Sequence, residues 1–185
     1  MVDKIHVWGF PLAEISVKLK PETKTLLFEK SLKYFQNYTN LTSFLSKISV
    51  RYRKIVTKKL IHNYYHRAKF TPFWVIYELA NFLHINLSII EKSIVSFISY
   101  RGKIIISNPI LPVLVTPEFT SILIHAMSDG TVCNGKFFYY QKNRENQQKF
   151  YEQIKNVFGN YEVNNKRGHY APKIVTKVIS NFFNI

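Results

Sequence analysis

The chain has 185 residues, 46% hydrophobic and 16% aromatic, which excludes a disordered polymer and leaves room for one large domain or two small ones. Twenty-six Lys and Arg against eleven Asp and Glu give a net charge of +15. Folding does not require that excess, which favours a polyanionic partner such as nucleic acid or an anionic membrane surface. Cys133 is the sole cysteine, so an intrachain disulfide and a cysteine-built zinc site are excluded, and a reducing, cytoplasmic compartment is expected. Ile104-Ile-Ile106 is interrupted by Asn108-Pro109 and Pro112, too soon to span a bilayer, and Asp3, Lys4 and His6 stand where a secretory signal would place its apolar core.

The charge divides unevenly. Residues 1–110 hold 17 basic and 6 acidic side chains, and residues 111–185 hold 9 and 5. Pro109, Pro112 and Pro117 lie close together between the two parts and favour an extended linker. Two domains are expected: a helical, helix-turn-helix-like DNA-binding domain over 1–110, and a mixed domain over 111–185. The predicted fold class is therefore α+β.

Along the N-terminal part, Ala13 to Leu19 reads as extended. Pro21-Glu22 starts a helix through Leu26, Leu27 and Leu32. Thr39 is placed to cap a short helix carrying Leu41, Phe44 and Leu45, and Ser49 to cap the next, from Val50 to about His62. A short helix, a tight turn and a second helix make the helix-turn-helix pattern, here without the usual turn glycine. Thr71-Pro72 is then expected to cap a helix with Trp74, Val75, Leu79, Phe82 and Leu83 at helical spacing. Ser88-x-x-Glu91 has the form of a capping box for a further helix carrying Ile89, Ile90, Ile94, Val95 and Ile98, ended by Arg101-Gly102. Two tandem helix-turn-helix units, or one with supporting helices, both fit.

In the C-terminal part, Pro117 to Ser128 reads as a helix and Thr131 to Cys133 as a short strand. Asn134-Gly135 turns the chain into an aromatic strand from Lys136 to Lys142. Glu145 to Phe158 is an amphipathic helix ended by Gly159-Asn160. Tyr161 to Val163 and His169-Tyr170 can form a hairpin, and Pro172 to Phe183 a final helix. The order is αββαββα.

Two stretches carry chemistry. Between Lys47 and Lys69 lie Lys47, Arg51, Arg53, Lys54, Lys58, Lys59, Arg67 and Lys69, with no acid and with Tyr52, Tyr64 and Tyr65 interleaved. Each cation near a phosphate releases condensed counterions, so the segment fits duplex DNA, bound with strong salt dependence. Arg51 and Arg53 are expected near a helix start, where they reach base edges if that helix enters the major groove. The bland reading is a solvated helix face, but such faces normally mix both signs. His62 and His66 have metal-ligand spacing, but their cationic neighbours oppose a cation, so they are read as surface histidines near phosphate.

The second stretch is Ile122-Leu-Ile-His-Ala-Met-Ser-Asp-Gly130 followed by Phe137-Phe-Tyr-Tyr-Gln-Lys142. By itself Asp129-Gly130 after a helix is an ordinary turn. In its context, residues 117–185 resemble one half of a LAGLIDADG homing endonuclease: the motif helix ends on Asp129-Gly130, an aromatic strand follows, then a polar turn at Asn143 and a helix ending in Phe158-Gly159. The resemblance implies a homodimer paired through the motif helices, cutting both strands of a specific DNA site by metal-dependent phosphodiester hydrolysis. It implies Mg2+ held by Asp129, with Gly130 beside it, one carboxylate from each copy. Gln141 and Lys142 would face DNA or the attacking water as catalytic residues, and Lys136, Lys166 and Arg167 would contact DNA. Ile124 departs from the family's small residue at the helix pairing. Transcriptional regulators of the same build that do not cleave are the alternative, and an RNA-binding protein that stacks Tyr and Phe on bases is a third.

Overall fold

In β2 (Ile15–Leu19) the side chains of Ile15, Val17 and Leu19 are buried and Ser16 and Lys18 less so, the alternation of a strand with one face on the core. The computed structural model describes residues 3–99, 104–128, 130–133, 136–139, 142–162 and 170–182. The architecture is mixed α+β, with all strand pairing antiparallel among the described residues. β2 is an inner strand of a four-stranded sheet ordered β3-β2-β4-β5, where β3 is Thr71–Pro72, β4 Ile94–Ser99 and β5 Ile105–Ser107.

Around this sheet stand α1 (Pro21–Phe35), α2 (Tyr38–Ser49), α3 (Lys58–His66), α4 (Phe73–Phe82) and α5 (Leu87–Lys92). As expected, Pro21 opens α1, where its missing N–H costs nothing. α4 is the axis of this half. Phe73, Trp74, Val75, Ile76, Leu79 and Ala80 are all buried, so its apolar character runs round the helix rather than along a stripe.

Several local expectations are overturned. The helix expected from Val50 to His62 is two pieces: a 3-10 turn at Val50–Tyr52 and then α3, which starts only at Lys58. The backbone turns at Arg53, which has a positive φ of 51°, and two hydrogen bonds close the turn, from Arg53 N to Val50 O and from Lys54 N to Ser49 O. This is the 5→2 and 6→1 pairing that ends helices. The β-branched run Ile55-Val56-Thr57 then favours extended chain, and Thr57 caps α3 by accepting from Leu60 N. Ser49 caps nothing; it is buried and its hydroxyl donates back to Ser46 O.

The helix expected over 88–98 is also split. α5 ends at Lys92 and Ile94–Ser99 is β4, whose registered partners include Ile15, Val17 and Leu19. Isoleucine and valine at 94, 95 and 98 serve either period, and pairing with β2 decides for strand. The cap of α5 is Asn86, accepting from Ser88 N, not Ser88. Asn37 rather than Thr39 caps α2, and α4 follows Pro72 with no side-chain cap at Thr71.

The proline-rich segment is fastened on both sides. β6 (Val113–Leu114) pairs with β1 (Lys4–Ile5), Ser107 and Asn160 exchange backbone hydrogen bonds, and Ile110 N donates to Phe158 O. One contiguous apolar core runs from Val7 and Phe28 through Phe97 to Phe119, Phe150 and Phe158. Beyond β6 come α6 (Pro117–Ser128), β7 (Gly130–Cys133), β8 (Lys136–Tyr139), α7 (Arg144–Phe158), β9 (Tyr170–Ala171) and α8 (Lys173–Phe182), the expected order with one strand in place of two between α7 and α8 among the described residues. β9 pairs with β8 rather than with Tyr161 and Glu162, which lie outside any strand; the rest of the expected hairpin, 163–169, lies outside the described residues.

Candidate nucleic-acid interface

The basic stretch 47–69 wraps the turn between α2 and α3 instead of riding on one helix. Lys47 lies in the last turn of α2, Arg51 sits in the 3-10 turn, Arg53 and Lys54 follow it, Lys58 and Lys59 open α3, and Arg67 and Lys69 come after its end. Lys47, Arg51, Arg53, Lys58, Lys59, Arg67 and Lys69 are exposed and Lys54 is half-buried. The expectation that Arg51 and Arg53 project from the start of a groove-reading helix is therefore corrected: they belong to the turn before it. Lys58 and Lys59 occupy the first turn of α3, where the helix dipole disfavours cations and favours an anion. Two lysines there raise the local positive potential instead of offsetting it.

The tyrosines between these cations point the other way. Tyr52 stacks on Trp74, with ring centroids 5.0 Å apart, and its hydroxyl donates to the Glu78 carboxylate. Burial first, and the hydrogen bond to Glu78 second, push the Tyr52 hydroxyl well above the usual tyrosine range. Tyr65 stacks on Phe28 at 5.2 Å and its hydroxyl reaches Glu29. Tyr64 packs against the core. The aromatic rings read from the sequence as interleaved with the charges thus anchor the loop from inside and are not displayed as a stacking platform. Both nearby carboxylates, Glu29 and Glu78, are engaged by tyrosine hydroxyls.

The end of α3 is fixed as well. Lys24 of α1 donates to Ala68 O at 3.1 Å, and partial burial lowers the pKa of its ammonium. His62 and His66, both exposed, lie 4.4 Å apart by ring centroid, and His66 Nε2 is 2.8 Å from the Tyr38 hydroxyl. This Tyr38–His62–His66 cluster sits at the edge of the basic surface, and of its contacts only the spacing of the two histidines is visible in the sequence.

The second candidate site lies at the end of α6. Phe119, Ile122 and Leu123 face the core, whereas Ile124 and Met127 are 59% and 65% exposed. His125 turns inward toward Tyr139, at 3.3 Å from Nδ1 to the hydroxyl, and edge-on to Phe150, a contact the motif did not single out. Asp129, Gln141, Lys166 and Arg167 lie outside the described residues. Gly130 opens β7 opposite Tyr139, Lys136 opens β8 opposite Cys133, and Lys142 is exposed between β8 and α7. Among the described residues, which do not include Asp129, no group of three or more His, Cys, Asp or Glu stands together.

A depression of about 240 Å3 lies where β6, the start of α6 and α7 meet, lined by Ile110, Leu114, Thr116, Glu118, Asn156 and Val157. Among the described residues Glu118 is its one charged lining residue, held below its ordinary pKa by a backbone hydrogen bond and by Thr116, so the depression is not part of the basic surface. Among the described residues no helix is long and apolar enough to cross a membrane. No protein-family model, curated protein or solved structure matches the chain.

Proposed function

We propose that this protein binds double-stranded DNA through the α2–α3 turn and its flanks. The observation that carries the reading is the exposure of seven cations between Lys47 and Lys69 on a segment without an acid, while the neighbouring acids Glu29 and Glu78 are bound to tyrosines. Each cation removed from a phosphate lowers the logarithmic salt slope of binding by about 0.9. Replacing Arg51, Arg53, Lys58 and Lys59 by Gln should flatten the slope by about 3.6 and weaken binding to any duplex. An unchanged slope would remove this surface from the reading.

The C-terminal half supports a further step of the same proposal. α6 carries Ile124 and Met127 outward, three residues apart and so on one side of the helix, and ends one residue before Asp129. A second copy laid against that face would bring the two α6 ends, and with them two Asp129 carboxylates, toward each other. A homodimeric, Mg2+-dependent endonuclease resembling the LAGLIDADG enzymes follows from that pairing. One Asp129 carboxylate per chain is too few to hold the ion, so the pairing is essential to the reading. Ile124 is bulkier than the small residue the resemblance calls for at a close helix crossing. It favours the alternative in which the fold pairs and binds DNA without cutting.

Two measurements separate these readings. Sedimentation should give twice the 21.9 kDa chain mass, and Ile124→Asp should return it to one chain with the fold intact, since Ile124 is exposed. Cleavage of a duplex library with Mg2+ should depend on Asp129, being lost in Asp129→Asn. Dimerisation and DNA binding with no Asp129-dependent cleavage would assign the protein to the non-cleaving regulators.

A further inference from the structure

The α2–α3 turn presents two large aliphatic side chains to solvent among its cations. Ile55 is 85% exposed and Val50 74%, on either side of the backbone reversal at Arg53. Single exposed aliphatics are ordinary on protein surfaces. The setting of this pair is not. Arg51, Arg53, Lys54, Lys58 and Lys59 surround them in sequence, and no acid does.

The turn also holds these residues out by its construction. Tyr52 is pinned inward by Trp74 and Glu78, Val56 packs against the core, and Thr57 is fixed as the cap of α3. Residues alternate inward and outward between these anchors, so Ile55 stands out between Tyr52 on one side and Val56 on the other. The two hydrogen bonds that close the reversal, Arg53 N to Val50 O and Lys54 N to Ser49 O, fix its backbone. A rigid aliphatic tip in a ring of cations is the chemistry of an unstacking wedge: cations hold the phosphates while an apolar side chain enters between base pairs and kinks the duplex.

We propose that Ile55, assisted by Val50, inserts between base pairs of duplex DNA and bends it. The inference rests on the DNA-binding reading above and adds a mechanical act to it. Two other partners fit less well. Membrane anchoring needs a broad apolar helix face or a lipid chain, because one or two buried side chains bind a bilayer only marginally. Single-stranded nucleic acid is held by stacking on exposed aromatics, and here Tyr52 and Tyr65 are engaged inside.

Ring closure by DNA ligase of a linear duplex about one persistence length long, ~150 bp, reports the bend directly. The wild-type protein should speed closure by about tenfold or more. Ile55→Ala should return closure to within about twofold of bare DNA while the dissociation constant for the same duplex rises by no more than about tenfold. Ile55→Leu should keep most of the effect. Equal ring closure by wild type and Ile55→Ala, with binding intact, would overturn the wedge and leave the DNA-binding reading standing. Failure of the wild type to bind the duplex would remove both. Binding to phosphatidylserine vesicles but not to duplex, lost in Ile55→Ala, would make the tip a membrane contact instead.

Discussion

Gly159 lies so close to Asn108 that a β-carbon built on it would stand 2.8 Å from the Asn108 carbonyl oxygen and 2.8 Å from the α-carbon of Pro109. Its φ of +110° adds a backbone conformation that side chains resist. The contact seats the end of α7 on the proline-rich segment, next to the Ser107–Asn160 exchange of backbone hydrogen bonds. Gly159→Ala should cost about 1–3 kcal/mol, read as a lower denaturation midpoint with an unchanged slope. Because both neighbours are backbone, neither can rotate away, and a neutral result would refute this account of the junction.

Glu91 and Val7 are 84 positions apart in sequence and directly hydrogen-bonded, the Val7 N–H donating to Oε1 at 2.8 Å. His6 Nδ1 meets the other carboxylate oxygen at 3.0 Å, and the His6 ring stacks on Trp8 at 4.2 Å. Val7 and Glu91 are both buried, so removing the carboxylate leaves an amide without its acceptor. Glu91→Ala should cost about 1–3 kcal/mol, and Glu91→Gln less, because an amide oxygen still accepts from Val7. Hydrogen exchange at the Val7 amide is the specific readout: it should speed in Glu91→Ala well beyond the global change.

These two contacts mark where the sequence stops being informative. Helices announced by local chemistry are where the sequence places them: Pro21 opens α1, α6 spans Pro117 to Ser128, and α7 ends at Phe158 before Gly159. Of the extended stretch expected over Ala13 to Leu19, Ile15–Leu19 is found as β2, since alternation is also local, while Ala13 and Glu14 lie in a 3-10 turn. Segments decided by distant partners are misread. Ile94–Ser99 becomes strand through β2, and Val50–Tyr52 breaks from α3 where Tyr52 reaches Trp74 and Glu78. Glu91 reads as a capping residue because its partners His6 and Val7 are invisible to any short window. The candidate DNA surface divides the same way. Its cations are legible from composition, but their arrangement around a turn, and the exposure of Ile55, follow from tertiary anchors.

Alkaline pH should destabilise the fold through Tyr52 and Tyr161. Burial is the largest cause that raises both hydroxyls above the ordinary value of 10.0; the Glu78 hydrogen bond adds to it at Tyr52, and the charge of a neighbouring Tyr151 at Tyr161. With the folded-state value raised, the neutral form is the one the fold holds, so the full contribution is present below the unfolded pKa. As pH climbs past about 10, the unfolded chain ionises while these two do not, and stability falls. Thermal midpoints should therefore drop steadily above that pH. Tyrosinate absorbance should show a fraction of the twelve tyrosines ionising only as the protein unfolds, a fraction reduced in Tyr52→Phe. Smooth ionisation of all tyrosines with the fold intact would contradict the burial argument.

Arg53 is the residue at which stability and the proposed function pull apart. Its φ of 51° is the left-handed conformation that closes the α2–α3 reversal, a position where glycine is the common choice. Holding an arginine there costs roughly 1 kcal/mol relative to a residue without a β-carbon. Arg53→Gly should therefore stabilise the fold by up to about that amount, since Arg53 is exposed and the turn's hydrogen bonds come from backbone groups that glycine retains. The same change removes one cation from beside Ile55, so affinity for duplex DNA should fall and its salt slope should flatten by about 0.9. Calorimetry and a salt titration on the one variant read the two effects separately. A stabilised protein with weakened, less salt-sensitive binding is the signature of a side chain kept for its partner at the expense of its own backbone. Lower stability with unchanged binding would show that Arg53 serves the fold alone.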